Sequence, residues 1–121
     1  MKNTSVSILL VEDNRLIAFA MKRELESLGH TVYTAHSGGE AIVSAMEHQP
    51  DVVLMDINLE EAEDGIEIMK QIHHKAGFIP NIYLTGYSQE EIKARARATS
   101  PAEIFEKPID SQLLADTLRG L

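Results

Sequence analysis

Short runs in which almost every residue is apolar or β-branched alternate along this chain with longer stretches whose apolar residues recur every three or four positions. Val6–Val11 (VSILLV) and Val52–Met55 (VVLM) are apolar almost throughout, the pattern of strands covered on both faces of a parallel sheet. His30–Ala35 (HTVYTA) mixes β-branched, aromatic and polar residues, as a strand nearer an edge does. Ile82–Leu84 follows Pro80 and reads as another central strand, and Ile104–Glu106, too short to stand alone, completes the rhythm as a fifth.

The stretches between carry helix punctuation. Arg15–Leu28 sets Leu16, Ile17, Ala20, Met21 and Leu28 at helical spacing, with Asn14 as N-cap and Gly29 as the stop. Ser37 with Glu40 and Ser88 with Glu91 fit the S-x-x-E capping box, which predicts helices over 38–47 and 89–98. Gly65–Lys75 carries Ile66, Ile68, Met69 and Ile72 and stops before Gly77, and Asp110 caps a last helix through Leu113, Leu114 and Leu118 to Gly120. The sum is an α/β chain of (βα)5 type, one domain over residues 1–121. Its sheet is parallel, with helices on both faces and right-handed crossovers. Ligands in such folds bind beyond the carboxyl ends of the strands, where the strand order reverses.

Composition narrows the field. Eleven basic against nineteen acidic side chains give a net charge of -8, which disfavours nucleic acid and anionic membrane surfaces as partners. There is no cysteine, so disulfides, thiolate nucleophiles and Cys-based metal sites are excluded. No apolar run approaches the roughly 18 residues of a membrane span, and the opening MKNTSVS has no signal-peptide core. A cytoplasmic location is expected.

Residues able to do chemistry fall where the fold reserves room for ligands. The first strand runs into Glu12-Asp13, the third into Asp56, the fourth into Thr85 and the fifth into Lys107. Singly these are ordinary: an acidic pair or a Thr-Gly step after a strand is turn chemistry, and most lysines are solvated. Together they bring three carboxylates into one pocket, where like charges must hold protons or a cation. The all-oxygen set suits a hard octahedral ion, Mg²⁺ or Mn²⁺. Lys107 can pair with Asp56 or with a phosphoryl oxygen, and the Thr85 hydroxyl can follow that oxygen. These are parts of a phosphoryl-transfer site in which a carboxylate is the covalent acceptor.

The segments ILLVEDN (8–14), VVLMDINL (52–59), DGIE (64–67), YLTGYS (83–88) and EKPI (106–109) resemble those of the response-regulator receiver family over essentially the whole chain. That resemblance implies a flavodoxin-like sheet of strand order 2-1-3-4-5 and Asp56 as phosphoacceptor. It implies Mg²⁺ held by Glu12, Asp13, Asp56 and the backbone carbonyl of Asn58, with Thr85 and Lys107 on the phosphoryl oxygens. It further implies a cis Lys107-Pro108 bond and a sensor histidine kinase or phosphotransfer protein as donor. An output partner would dock on the 89–98 helix, the fifth strand and the last helix, a face that can also form a homodimer on phosphorylation. The chain closes after its fifth helix with no DNA-binding, cyclase or kinase segment, which fits a stand-alone receiver or one from a larger protein.

Departures from the family pattern bear on the switch. The position three before the Lys, often aromatic, is Ile104, and the aromatic neighbour Phe105 is expected on the opposite face of the strand. A conventional Tyr or Phe rotamer switch is therefore not expected here, although an aliphatic residue can still repack. The loop after Asp56 (NLEEAEDG) lacks the usual Pro and is one residue longer than in the chemotaxis-regulator type. Its acids Glu60, Glu61, Glu63 and Asp64 are expected to be solvated. Asn58 and Tyr87, each two residues beyond a key position, are the expected tuning sites, with Tyr87 screening the acyl phosphate from water. His73-His74 and the cations Lys93, Arg95 and Arg97 read as surface residues. Two rivals differ in class. A phosphohydrolase with an aspartyl-phosphate intermediate would carry D-x-D, where this chain has Asp56-Ile57-Asn58. A receiver-like interaction module that is never phosphorylated usually lacks the acceptor, an acid or the Lys, and this chain keeps all of them.

Overall fold

The computed structural model describes residues 5–86 and 89–121. Strands β1 (Ser7–Val11), β2 (Thr31–Ala35), β3 (Val52–Asp56), β4 (Asn81–Thr85) and β5 (Glu103–Glu106) alternate with helices α1 (Arg15–Ser27), α2 (Gly38–His48), α3 (Gly65–Ala76), α4 (Glu90–Arg97) and α5 (Ser111–Arg119). All strand pairs are parallel, and the order is β2-β1-β3-β4-β5. The chain leaves β1 toward β2 and then returns to β3 on the other side, so the order reverses between β1 and β3.

The period of two along the strands sorts side chains into two cores. Leu9, Val11, Val53, Met55 and Tyr83 face Ala41 and Ala45 of α2, Ile66, Met69 and Ile72 of α3, and Ala96 of α4. Ile8, Leu10, Val52, Leu54, Ile82 and Leu84 face Ala18 and Leu25 of α1 and Leu114 and Leu118 of α5. Every residue of β3 and β4 is buried, at about 1.5–3 kcal/mol for each fully buried large aliphatic side chain. That is why VVLM and IYL read as unbroken apolar runs, while the edge strand β2 is buried only at Val32 and Ala35. Ile104 packs on the α2–α3 side and Phe105 on the α1–α5 side, the opposed placement expected of neighbours in a strand. No helix among the described residues is long and apolar enough to cross a membrane.

Several local expectations are corrected. β1 opens at Ser7 because the Val6 N–H turns aside to the Nδ1 of buried His30 at 3.1 Å. Helix α4 opens at Glu90 on Gln89, whose side chain makes no cap bond; Ser88, the expected cap, lies outside the described residues. His74 is exposed as expected, but His73 is half-buried, with Nε2 3.0 Å from the Ile79 carbonyl and its ring against Phe78.

Candidate functional site

Register brings the chemistry together. Val11 lies beside Met55, so Glu12 leaves the sheet next to Asp56. Asp56 lies beside Leu84, and Thr85 beside Glu106, so Thr85 and Lys107 emerge from the adjoining strands. The Lys107 N–H donates to the Thr85 carbonyl at 2.8 Å, and the Lys107–Pro108 peptide is cis, as the resemblance implied. Glu12, Asp56 and Thr85 are buried.

The Asp56 carboxylate is held at both oxygens. Oδ1 accepts the Asn58 N–H at 2.9 Å, and Oδ2 accepts from Lys107 Nζ at 3.1 Å. Lys107 Nζ also lies 3.8 Å from Glu12 Oε1. One carboxylate oxygen each from Glu12, Asp13 and Asp56 falls within 4.8 Å of the others. Burial pushes the Glu12 carboxyl up to about 7, with the Asp56 charge acting in the same direction against the Asn14 N–H and Lys107. Burial would also raise Asp13, but the Glu60 N–H at 2.8 Å leads the hydrogen bonds that hold it below its ordinary value. One ammonium facing three carboxylates leaves negative charge that a proton or a divalent cation must balance. An all-oxygen set of this spacing fits Mg²⁺.

Sequence reasoning missed how the loop after β3 is held. Its acids Glu60, Glu61 and Glu63 are exposed as expected and Asp64 is half-buried; Glu61 also accepts from Gly38 N at the start of α2, at 2.6 Å to Oε1 and 3.1 Å to Oε2. Glu63 accepts from Gln71. Asp64 caps α3 through the N–H groups of Ile66 and Glu67, both at 3.1 Å. The Asn58 side chain reaches across to β4, its Oδ1 accepting the Gly86 N–H at 2.9 Å. The ties of Glu61 to Gly38 and of Asn58 to Gly86 join residues far apart in the sequence and carry no periodic signal. His36 is a further neighbour, its Nδ1 3.0 Å from the Glu12 carbonyl. It lines, with Asp13, Asn14, Ser37, Glu60 and Glu61, a cleft of about 350 Å³. Tyr87, the second expected tuning residue, lies outside the described residues.

Comparison with known proteins gives one family. Residues 8–119 match the family described as the response regulator receiver domain. PilH of Pseudomonas aeruginosa is 31% identical over 116 residues, spanning 94% of this chain and 95% of its own length. The polar-differentiation response regulator DivK of Brucella ovis is also 31% identical, with 94% of each chain covered. The solved chemotaxis protein CheY4 of Vibrio cholerae superposes with a TM-score of 0.86 at 27% identity, over 96% of this chain and 98% of that one. A family match over nearly the whole chain, the strand order and the placement of the acids, Thr85 and Lys107 agree: the chain belongs to the response regulator receiver domain family.

Proposed function

We propose that Asp56 accepts a phosphoryl group from a sensor histidine kinase or a phosphotransfer protein, and that the change of charge there resets the output face of the domain. Receiver domains are two-component signalling domains rather than classical enzymes, and the family binds Mg²⁺ through an acidic cluster. The observation that carries the reading is the placement of Asp56. Its buried carboxylate is aimed by the Asn58 N–H and Lys107 Nζ, with oxygens of Glu12 and Asp13 beside it.

In this reading an Asp56 oxygen attacks the phosphorus of a phosphohistidine, forming the P–O bond as the P–N bond breaks and the imidazole leaves. The Asn58 N–H orients the nucleophile, and Lys107 moves its ammonium from the carboxylate to a phosphoryl oxygen. The Thr85 hydroxyl, at the end of the neighbouring strand, turns to another of those oxygens. Glu12, Asp13, Asp56 and the Asn58 carbonyl would hold the Mg²⁺, which when bound neutralises charge on the transferring group. Activity of the domain's own is limited to self-phosphorylation from small donors and hydrolysis of the acyl phosphate. The donor docks beside the site on the opening turns of α1, where Leu16, Ile17 and Phe19 are exposed. The output face is α4, β5 and α5, with a groove of about 460 Å³ lined by Lys93, Arg97, Pro101 and Ile104. A cytoplasmic site of action follows from this partnership.

The test is intact mass after incubation with acetyl phosphate and Mg²⁺, on the wild type and on Asp56→Asn. A gain of about 80 Da, one phosphoryl group, that needs Mg²⁺ and is lost in the variant is the expected result. An adduct that persists in Asp56→Asn would give the role to another residue, and none on the folded wild type would favour a binding module that is never phosphorylated.

A further inference from the structure

Helix α4 is short and weakly seated. Ala96 is its one buried residue, and its N-cap makes no side-chain bond. Lys93 pairs with Glu106 on β5 at 3.4 Å, and among the described residues Arg97 pairs only with Glu90 of the same helix, at 3.8 Å. Arg95 differs in kind. Its guanidinium grips Asp64 through both nitrogens, at 2.8 and 3.2 Å, and reaches Glu67 at 3.3 Å. Both acids stand on the opening of α3, and Asp64 is also the cap of that helix.

The anchor on α3 cannot readily move. A Cβ added at Gly65 would lie 2.3 Å from the Asp56 carbonyl and 2.9 Å from Ile57 Cα, so the first residue of α3 is seated against the backbone of the acceptor. The Gly65 N–H also donates to the Ile57 carbonyl at 3.0 Å. Thr85, by contrast, closes β4, the strand that precedes α4 in the chain. A Thr85 hydroxyl drawn to a phosphoryl group pulls on the segment that enters α4, while α3 stays fixed to β3. A forked ion pair tolerates little sliding before its geometry is lost.

We infer that the pairing of Arg95 with Asp64 and Glu67 is a latch that holds α4 in its resting place and is released when the domain is phosphorylated. This rests on the reading of Asp56 as acceptor. Because the contact is made in one arrangement and lost in the other, it sets the balance between them. Removing it raises the share of the switched form before any phosphoryl group arrives, and ligands that favour that form bind more tightly.

Two measurements on Arg95→Gln, Asp64→Asn, the double variant and Arg97→Gln test it. Asn at 64 can still accept the cap hydrogen bonds, so it removes the charge while keeping the helix start. Amide hydrogen exchange of the unphosphorylated proteins should show the α4 amides exchanging about three- to tenfold faster in Arg95→Gln and Asp64→Asn, the range for a partly exposed forked pair. The double variant should show little more than either single one, and Arg97→Gln should match the wild type. Titration with beryllofluoride and Mg²⁺, a phosphoryl mimic, should show tighter binding by a similar factor in the latch variants.

Unchanged α4 exchange in Arg95→Gln overturns the latch whatever Asp56 does. Additive effects in the double variant would also overturn it, since the two residues would then act separately. Faster exchange with unchanged affinity for the mimic would show a structural tie that phosphorylation does not use, and would overturn the regulatory role. If the wild type binds no beryllofluoride, the acceptor reading fails instead, and the exchange data alone decide whether Arg95 holds α4.

Discussion

Replacing Gly65 by Ala and Gly39 by Ala makes the same chemical change at the starts of two helices, and the structure predicts opposite signs. Ala is the better helix former by up to about 1 kcal/mol in a helix interior and by less in the first turn. At Gly39 nothing lies within 4 Å of an added Cβ, so the substitution should stabilise by about 0.5 kcal/mol, chiefly by restricting the unfolded chain. At Gly65 the added atom would sit 2.3 Å from the Asp56 carbonyl oxygen, 2.8 Å from Met55 Cγ and 2.9 Å from Ile57 Cα. Two of those three atoms belong to the backbone of the central strand and its exit, where relief requires moving β3 or α3. Overpacking of a core costs typically about 1–3 kcal/mol, and this site belongs at the upper end. A loss near 3 kcal/mol corresponds to a fall in melting temperature of roughly 10 °C for a domain of this size. Urea denaturation of the three proteins gives the comparison directly. The acyl-phosphate yield of folded Gly65→Ala, by intact mass, should also fall, because the clash displaces the acceptor's own carbonyl. A Gly65→Ala midpoint at or above wild type would refute the claim that α3 is seated on Asp56, and with it the fixed anchor that the Arg95 latch requires.

Two further predictions test the core beneath α4 and the pH response. Tyr83→Phe removes the hydroxyl that lies 2.6 Å from Thr99 Oγ1 in a buried cluster with Asn81, and should destabilise by about 1–2 kcal/mol; an unshifted urea midpoint would show the hydroxyl contributes nothing. Burial holds the His30 imidazole below its ordinary 6.5, and its Nδ1 must be unprotonated to accept the Val6 N–H. The unfolded chain therefore binds the proton more readily, so this contribution is complete above 6.5 and is lost as pH falls below it. Wild type should accordingly lose more stability than His30→Gln between about pH 7 and pH 5.5, and parallel pH profiles would show that His30 titrates as it does in the unfolded chain.

The parts of the fold that were legible in the sequence are those that repeat. β1 and β3 are buried on both faces, so their residues must be apolar whatever their neighbours are, and the runs VSILLV and VVLM announce them. Capping follows from local stereochemistry, and Asn14, Ser37 and Asp110 each accept the expected backbone N–H. The placement of Glu12, Asp56, Thr85 and Lys107 was legible for a related reason: a parallel sheet delivers every strand's carboxyl end to one rim. What failed depends on particular distances across the fold. Glu61 is solvent-facing as expected and Asp64 is half-buried, but only the folded chain puts Gly38 N and Arg95 within reach of them. Strand β1 lost Val6 to a histidine 24 residues away, which no window of local pattern contains.

Those long-range bonds share a location, and the location has a consequence. Between Asp56 and α3 the loop makes one tie to each neighbour: Glu60 N to Asp13 after β1, Glu61 to the start of α2, Asn58 Oδ1 to Gly86 after β4, and Asp64 to Arg95 of α4. Asp56 heads this loop, so under the proposed reading a dianionic group on it would act on all of these contacts together. Their responses cannot be equal. Under that reading the ties to Asp13 and Gly86, beside the acids and Thr85, would meet its charge and bulk directly. The tie to α2 ends on a helix whose core contacts with α3 and β1 do not involve the site. Only the tie to Arg95 joins a seated helix to a weakly seated one. Where a rigid element and a loosely held one share a contact, displacement collects in the loosely held one, because its other contacts resist least. Under the proposed reading, with Ile104 where an aromatic could turn inward, the response would run through the seating of α4, and Arg95 is the side chain placed to oppose it.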